Sequence, residues 1–247
     1  MLVFDGLNAQ VNLSNLVPNQ IDQDHLGNYY LSFDDELIQF GFDGLEKNRF
    51  SNKNNGTITE LDASNSMKIL LHYQALNSIQ FLDNRLGERS DILDLQEAGL
   101  AQSHISCSSY NNGVWVYDRV ALSLFRLDQN LRENLRTGNL NQIIGREVNP
   151  IKMREAGKWL YILDASFGVV ICDIYGAYSR NIPAKNVIDM DVDGTDLYIL
   201  DDMGILRYDA VDFAFKRLLE REQILNFTIQ NNKLLFTTEE GLWRLEL

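Results

Sequence analysis

A small turn residue, Gly or Asn, recurs six times along this 247-residue chain, each time followed seven positions later by a polar, mostly Asp, residue. An apolar run fills the interval. The pairs are Gly27/Asp34, Asn65/His72, Asn111/Asp118, Gly157/Asp164, Gly194/Asp201 and Asn231/Thr238, with the turn residues 38, 46, 46, 37 and 37 apart. Self-similarity at a period of about 40 residues marks a repeat architecture, in which one unit cannot bury its apolar faces without its neighbours. The repeat runs end to end, so the chain reads as one cooperative domain.

The interior of each unit reads as β-structure. Four places after each turn stands a large apolar residue (Leu31, Ile69, Trp115, Tyr161, Tyr198, Leu235), and Leu160–Asp164 nearly repeats Leu197–Asp201. Continuous apolar runs bounded by turn signals are strands buried on both faces. A second apolar segment follows and ends at Phe42-Asp43, Leu82-Asp83, Leu127-Asp128, Cys172-Asp173, Tyr208-Asp209 or Leu245-Glu246, with a more polar piece beyond it. Ahead of each turn the pattern alternates. Offset −6 holds Ile21, Thr59, Ile105, Ile151, Ile188 and Leu225, and offset −4 is also mainly apolar, whereas offsets −5 (Asp22, Glu60, Ser106, Lys152, Asp189, Asn226) and −3 (Asp24, Asp62, Ser108, Arg154, Asp191, Thr228) are polar throughout. Period two is the strand signature.

Four strands, A to D, in about 40 residues resemble the blade of a β-propeller. The expected fold is all-β: a six-bladed β-propeller of four-stranded blades at about 20–51, 56–95, 103–137, 150–182, 187–218 and 224–247, with residues 2–13 supplying the outer strand of the last blade and closing the ring. The resemblance spans the whole chain but lies in architecture. There is no Trp-Asp of WD40 type, no kelch Gly-Gly and no sialidase Asp box.

Composition narrows the function. The net charge of −13 is the wrong sign for a nucleic-acid backbone, and no apolar run approaches the ~18 residues of a membrane span. Cys107 and Cys172 are expected as free, buried thiols, since a core of this size needs no disulfide. If a leader precedes these residues in the natural protein, the cell envelope or secretion is the expected location. His25, His72 and His104 have no partner at a readable spacing, so no nucleophilic triad is supported, and no phosphate loop, zinc spacing or dinucleotide fingerprint occurs.

Two surfaces remain as candidates. The B–C turns put Asp34, Asp35, Asp118, Asp164, Asp201 and Asp202 at one end of the ring, although Asp in a tight turn commonly bonds its own backbone. The same end carries the D–A connections, of which 96–103 and 138–150 are the longest. The second contains Leu140, Ile143 and Ile144, expected either as an exposed apolar knob or as a small helix packed on the ring. That face suits a protein partner of basic character, so the leading expectation is a non-enzymatic interaction or scaffold module, monomeric within a larger assembly and without a cofactor. The second surface is the channel. Asp22, Glu60, Asp189 and Asn226 fall in one arc at offset −5, similar in residue type to the divalent-cation site of gluconolactonase- and paraoxonase-type propellers. That resemblance implies Ca²⁺ or another divalent cation and a hydrolase or lactonase activity. Asp189-x-Asp191-x-Asp193-Gly194 opens like a calcium loop, but Leu200 stands where an EF-hand needs its bidentate Glu, so it reads as a hairpin turn.

Overall fold

The computed structural model describes residues 11–247. Six four-stranded antiparallel sheets form the blades of a β-propeller, each an A–B–C–D meander. The inner A strands are Gln20–Gln23, Glu60–Asp62, Ser103–Ser109, Pro150–Ala156, Asp189–Asp193 and Asn226–Gln230. The B strands are the apolar runs, and the segment Gly113–Asp118 is buried at every position. Outer strands are polar and exposed, as in Tyr178–Pro183 of blade 4.

Val11–Ser14 is the outer strand of blade 6 and pairs antiparallel with Gly241–Glu246, so the two ends of the chain share one sheet. The rest of the expected closing segment, residues 2–10, lies outside the described residues. In every blade the two middle strands are paired on both edges, and free strand edges remain only along the channel and at the outer rim. Gly241 makes the join possible: its φ is +130°, and a Cβ there would collide with the carbonyl oxygen of Ser14.

The core is six interblade seams. Trp115 and Tyr117 of blade 3 pack on Met153, Leu160 and Ile162 of blade 4, and each neighbouring pair of blades has an equivalent cluster. Among the described residues, the seam between blades 6 and 1 has Ile21, Tyr29, Leu31, Leu235 and Leu242 as its buried members. Cys107 and Cys172 are both buried and free, within the seam between blades 3 and 4.

The recurring Asp residues are turn caps. After strand C, Asp83 accepts hydrogen bonds from the amides of Arg85 and Gly87, and Asp128 and Asp173 do the same for their own turns. In the B–C turns, Asp118 accepts from Val120, Ala121 and Gln102, and Asp164 from Ser166 and Asn149. A carboxylate that satisfies several backbone N–H groups fixes a turn which otherwise leaves them unpaired.

Candidate functional site at the channel mouth

Counting back from the turn residue places the channel correctly in most blades and fails in blade 1. There Gln23 pairs with Tyr29 across a five-residue connection, tied down by the Asp24 carboxylate on the amides of Leu26 and Asn28, whereas Asp193 and Asp196 of blade 5 are joined by two residues. Asp22 therefore sits one layer deeper than its count from Gly27 implies, and Gln20 takes the position at the mouth.

The deeper layer closes the channel. The Arg154 guanidinium donates to both oxygens of Asp22 (2.7 and 3.1 Å), to Asp62 (2.9 Å) and to Asp191 (3.2 Å), so one side chain of blade 4 ties down blades 1, 2 and 5. Each carboxylate also reaches the next blade: Asp22 accepts from the Ala63 amide, Asp62 from Ser108 and Asp191 from Ile229 and the Thr228 hydroxyl. These side chains are almost wholly buried. Burial disfavours the guanidinium charge, but the three surrounding carboxylates outweigh it and hold Arg154 far above its ordinary range. Burial also works against ionised Asp62, and here Arg154 and the Ser64 and Ser108 bonds win, drawing its pKa down. For Asp22 burial prevails over Arg154, and its pKa is raised.

Above this plug lies a cavity of about 170 Å³, lined by the first residues of the A strands and so opening on the face that carries the B–C turns and D–A connections. Lys152 donates to Asp189 at 2.6 Å. Burial opposes the ammonium charge, but Asp189 and Asp191 more than compensate and raise the Lys152 pKa. Glu60 and Asn226 line the same cavity. Burial, only partly offset by Lys152, pushes the half-buried Glu60 up to about 8, so its carboxyl is largely protonated at neutral pH.

Ile151, Ile188 and Leu225 stand around this opening, 38%, 48% and 39% exposed. They occupy offset −6 in consecutive blades, which the alternation assigns to the core. Ile105 does lie buried there, while Ile21, carried a layer deeper by the shift in blade 1, is buried at a different level. In blades 4 to 6 this residue comes at the edge of the channel instead, where it forms an apolar rim.

The remaining candidates separate by burial. Asp118 and Asp164 are 1% exposed and committed to backbone amides, while Asp201 pairs with Arg217 and Asp35 accepts from the Ser51 hydroxyl. Asp34 and Asp202 are exposed. Leu140–Ile144 is a short helix capped by the Asn139 side chain. Leu140 is buried and Ile144 packs against the seam between blades 3 and 4, which leaves Ile143 as the exposed member of the trio. The packed-helix alternative therefore holds for this segment, and an exposed knob of all three does not. His72 is buried, and desolvation lowers it to about 4; its Nε2 meets the Ser103 hydroxyl at 2.9 Å.

Of the four offset −5 oxygen donors, Glu60, Asp189 and Asn226 share the cavity and Asp22 does not reach it. Asp22 lies under Arg154, Asp189 is held by Lys152, and Asp193 accepts from Gln230, so the Asp-rich run is a ladder between blades. Among the described residues no group of three or more His, Cys, Asp or Glu side chains is arranged to hold a metal ion. As they stand, these residues do not fit a divalent cation.

No protein-family model matches the chain, and no curated protein matches it in sequence. Solved structures do share its fold. A gluconolactonase from Xanthomonas campestris aligns at a TM-score of 0.69 with 14% identity, covering 96% of this chain and 89% of that one. A streptogramin B lyase gives 0.66 with 12% identity, covering 96% and 97%. A chain of a mitotic checkpoint complex gives 0.63 with 7% identity, covering 99% and 98%. The class is therefore that of six-bladed β-propellers. At these identities the likeness establishes the fold alone.

Proposed function

We propose that the protein is a non-enzymatic binding module which docks a protein partner on the face bearing the channel mouth. The observation that carries this reading is the closed channel with its apolar rim: the Arg154 cluster makes the mouth a shallow socket, and Ile151, Ile188 and Leu225 surround it in consecutive blades. Contiguous exposed apolar residues around a polar centre are a usual composition for a protein interface. The exposed Asp34 and Asp202 on the same face, within a chain of net charge −13, favour a partner of basic character. Related folds serve both as enzymes and as members of assemblies, so the choice rests on the site.

Pull-down from the native host with an Ile188→Ser, Leu225→Ser variant tests the reading. Loss of a partner retained by the parent protein supports it, and an unchanged set of partners refutes it. A divalent-metal hydrolase using Asp22, Glu60, Asp189 and Asn226 is the competing reading, and it requires Arg154 and Lys152 to release their carboxylates. A ligand of the native state raises the melting temperature. The docking reading expects no rise with millimolar Ca²⁺, Mg²⁺ or Zn²⁺, and a saturable rise would favour the hydrolase.

A further inference from the structure

On the opposite side of the ring, a cleft of about 450 Å³ opens between blades 2 and 3. Two cations, one of them buried, stand together in its wall. In the channel, by contrast, Lys152 and the buried Arg154 both pair with carboxylates. In the cleft, Lys68 is 8% exposed, its Nζ donates to the Asn112 carbonyl at 2.5 Å and lies 3.8 Å above the Phe81 ring, and it has no carboxylate partner among the described residues. Arg89, exposed beside it, donates to the Met67 carbonyl and likewise forms no ion pair among those residues.

Burying a cation without a counter-charge is costly, and a second cation nearby adds to the cost. Desolvation and the charge of Arg89 lower Lys68 to about 8, and no carboxylate offsets them. An anion entering the cleft would relieve both effects. The remaining walls describe its body. Gln129 and Asn130, on the C–D turn of blade 3, offer side-chain amides, while Phe81 and Leu131 provide apolar surface. The volume falls in the range of small-molecule sites.

We propose that this interblade cleft binds a small organic anion, a carboxylate or phosphate monoester on a hydroxyl-bearing body. The anionic group lies between Lys68 and Arg89, with hydroxyls on the Gln129 and Asn130 amides and the less polar face of the ligand against Phe81. The site is separate from the channel mouth and does not depend on the partner-docking reading.

Isothermal titration with glucose 6-phosphate, glucuronate, inorganic phosphate and uncharged glucose tests it. At least one sugar anion should bind saturably and more tightly than inorganic phosphate, with no binding of glucose, and whichever of the two sugar anions binds identifies the anionic group. Arg89→Gln, an exposed change that leaves the core intact, should weaken that binding about tenfold, in line with the loss of a charge-assisted contact. Lys68→Met should abolish it, while Ile188→Ser leaves it unchanged. Absence of saturable binding by either sugar anion up to 10 mM would overturn the proposal. Equal binding by inorganic phosphate or by glucose would do so too, as would an Arg89→Gln protein that binds like the parent.

Discussion

Replacing Arg154 by Met should destabilise the ring more than any other single change at its centre. The substitution keeps most of the side-chain volume but removes the guanidinium that is bonded to Asp22, Asp62 and Asp191, whose side chains are 2%, 4% and 4% exposed. Breaking a buried pair by removing one partner typically costs ~3–5 kcal/mol, because the other charge is stranded. Three carboxylates are stranded here. Each keeps its bonds from backbone N–H groups, for example Gln23 and Ala63 on Asp22, so the costs do not simply add, and about 4–6 kcal/mol near pH 7 is expected. At ~2–4 °C per kcal/mol for a domain of this size, the melting temperature should fall by more than ~8 °C. The loss should also depend on pH. Without the guanidinium, burial raises the folded-state pKa of these carboxylates above the unfolded value of ~3.9, so the variant is penalised least at acid pH and increasingly as pH rises. The gap between parent and variant should therefore narrow from pH 7 to pH 4.5. Arg154→Lys, which keeps the charge without the forked geometry, should fall between the two and provides a folded reference. Thermal melts followed by circular dichroism at both pH values measure this. A loss below ~2 °C, or a gap that does not change with pH, would refute the claim that the carboxylates depend on Arg154.

Other outcomes follow from the same structure. Glu60 has a folded pKa of about 8, raised above the unfolded carboxylate value, so its protonated form stabilises at low pH and the contribution is lost as pH rises through 8. Glu60→Gln should melt close to the parent at pH 5 and higher at pH 9. The full shift corresponds to ~5 kcal/mol, and solvent at the mouth reduces this to about 2; a difference that is the same at both pH values would contradict the burial of the carboxyl. Asp118→Ala should cost ~2–4 kcal/mol in denaturant melts by orphaning the amides of Gln102, Val120 and Ala121, while Asp202→Ala should stay within ~0.5 kcal/mol, and equal effects would contradict the division between caps and exposed acids. Gly241→Ala forces a Cβ against the Ser14 carbonyl at a backbone φ of +130°, so hydrogen exchange at Val11–Ser14 should accelerate well before that of blade 3, and uniform protection would argue against closure by this strand.

The repeat made the six blades legible because turn, apolar run and turn cap are local features, each set by residues a few places apart. Even the use of residues ahead of blade 1 as a closing strand followed from counting. The channel was legible only as a polar stripe. Its organisation depends on contacts such as Arg154 to Asp22, 132 residues apart, for which a sequence offers no local sign. Register failed where loop length changed: the five-residue A–B connection of blade 1 moved Asp22 down a layer, and a count from Gly27 had no means of registering that. The same alternation that assigned offset −6 to the core is correct for Ile105 and misses the exposed Ile151, Ile188 and Leu225, because a strand position says which way a side chain faces and not where the neighbouring blade ends. A signal for the Lys68 cleft was absent for a similar reason. Its lining comes from blades 2 and 3 together, and only the fold shows that, among the described residues, no carboxylate lines it beside its two cations.

Site-specific photo-crosslinking in the native host tests the docking reading most directly, with the photoreactive group placed either at position 188 on the rim of the mouth or at position 45 on an exposed C–D turn of the opposite face. The account predicts a discrete crosslinked partner from position 188 and none from position 45. Crosslinks from position 45 alone, or from neither position, would contradict it.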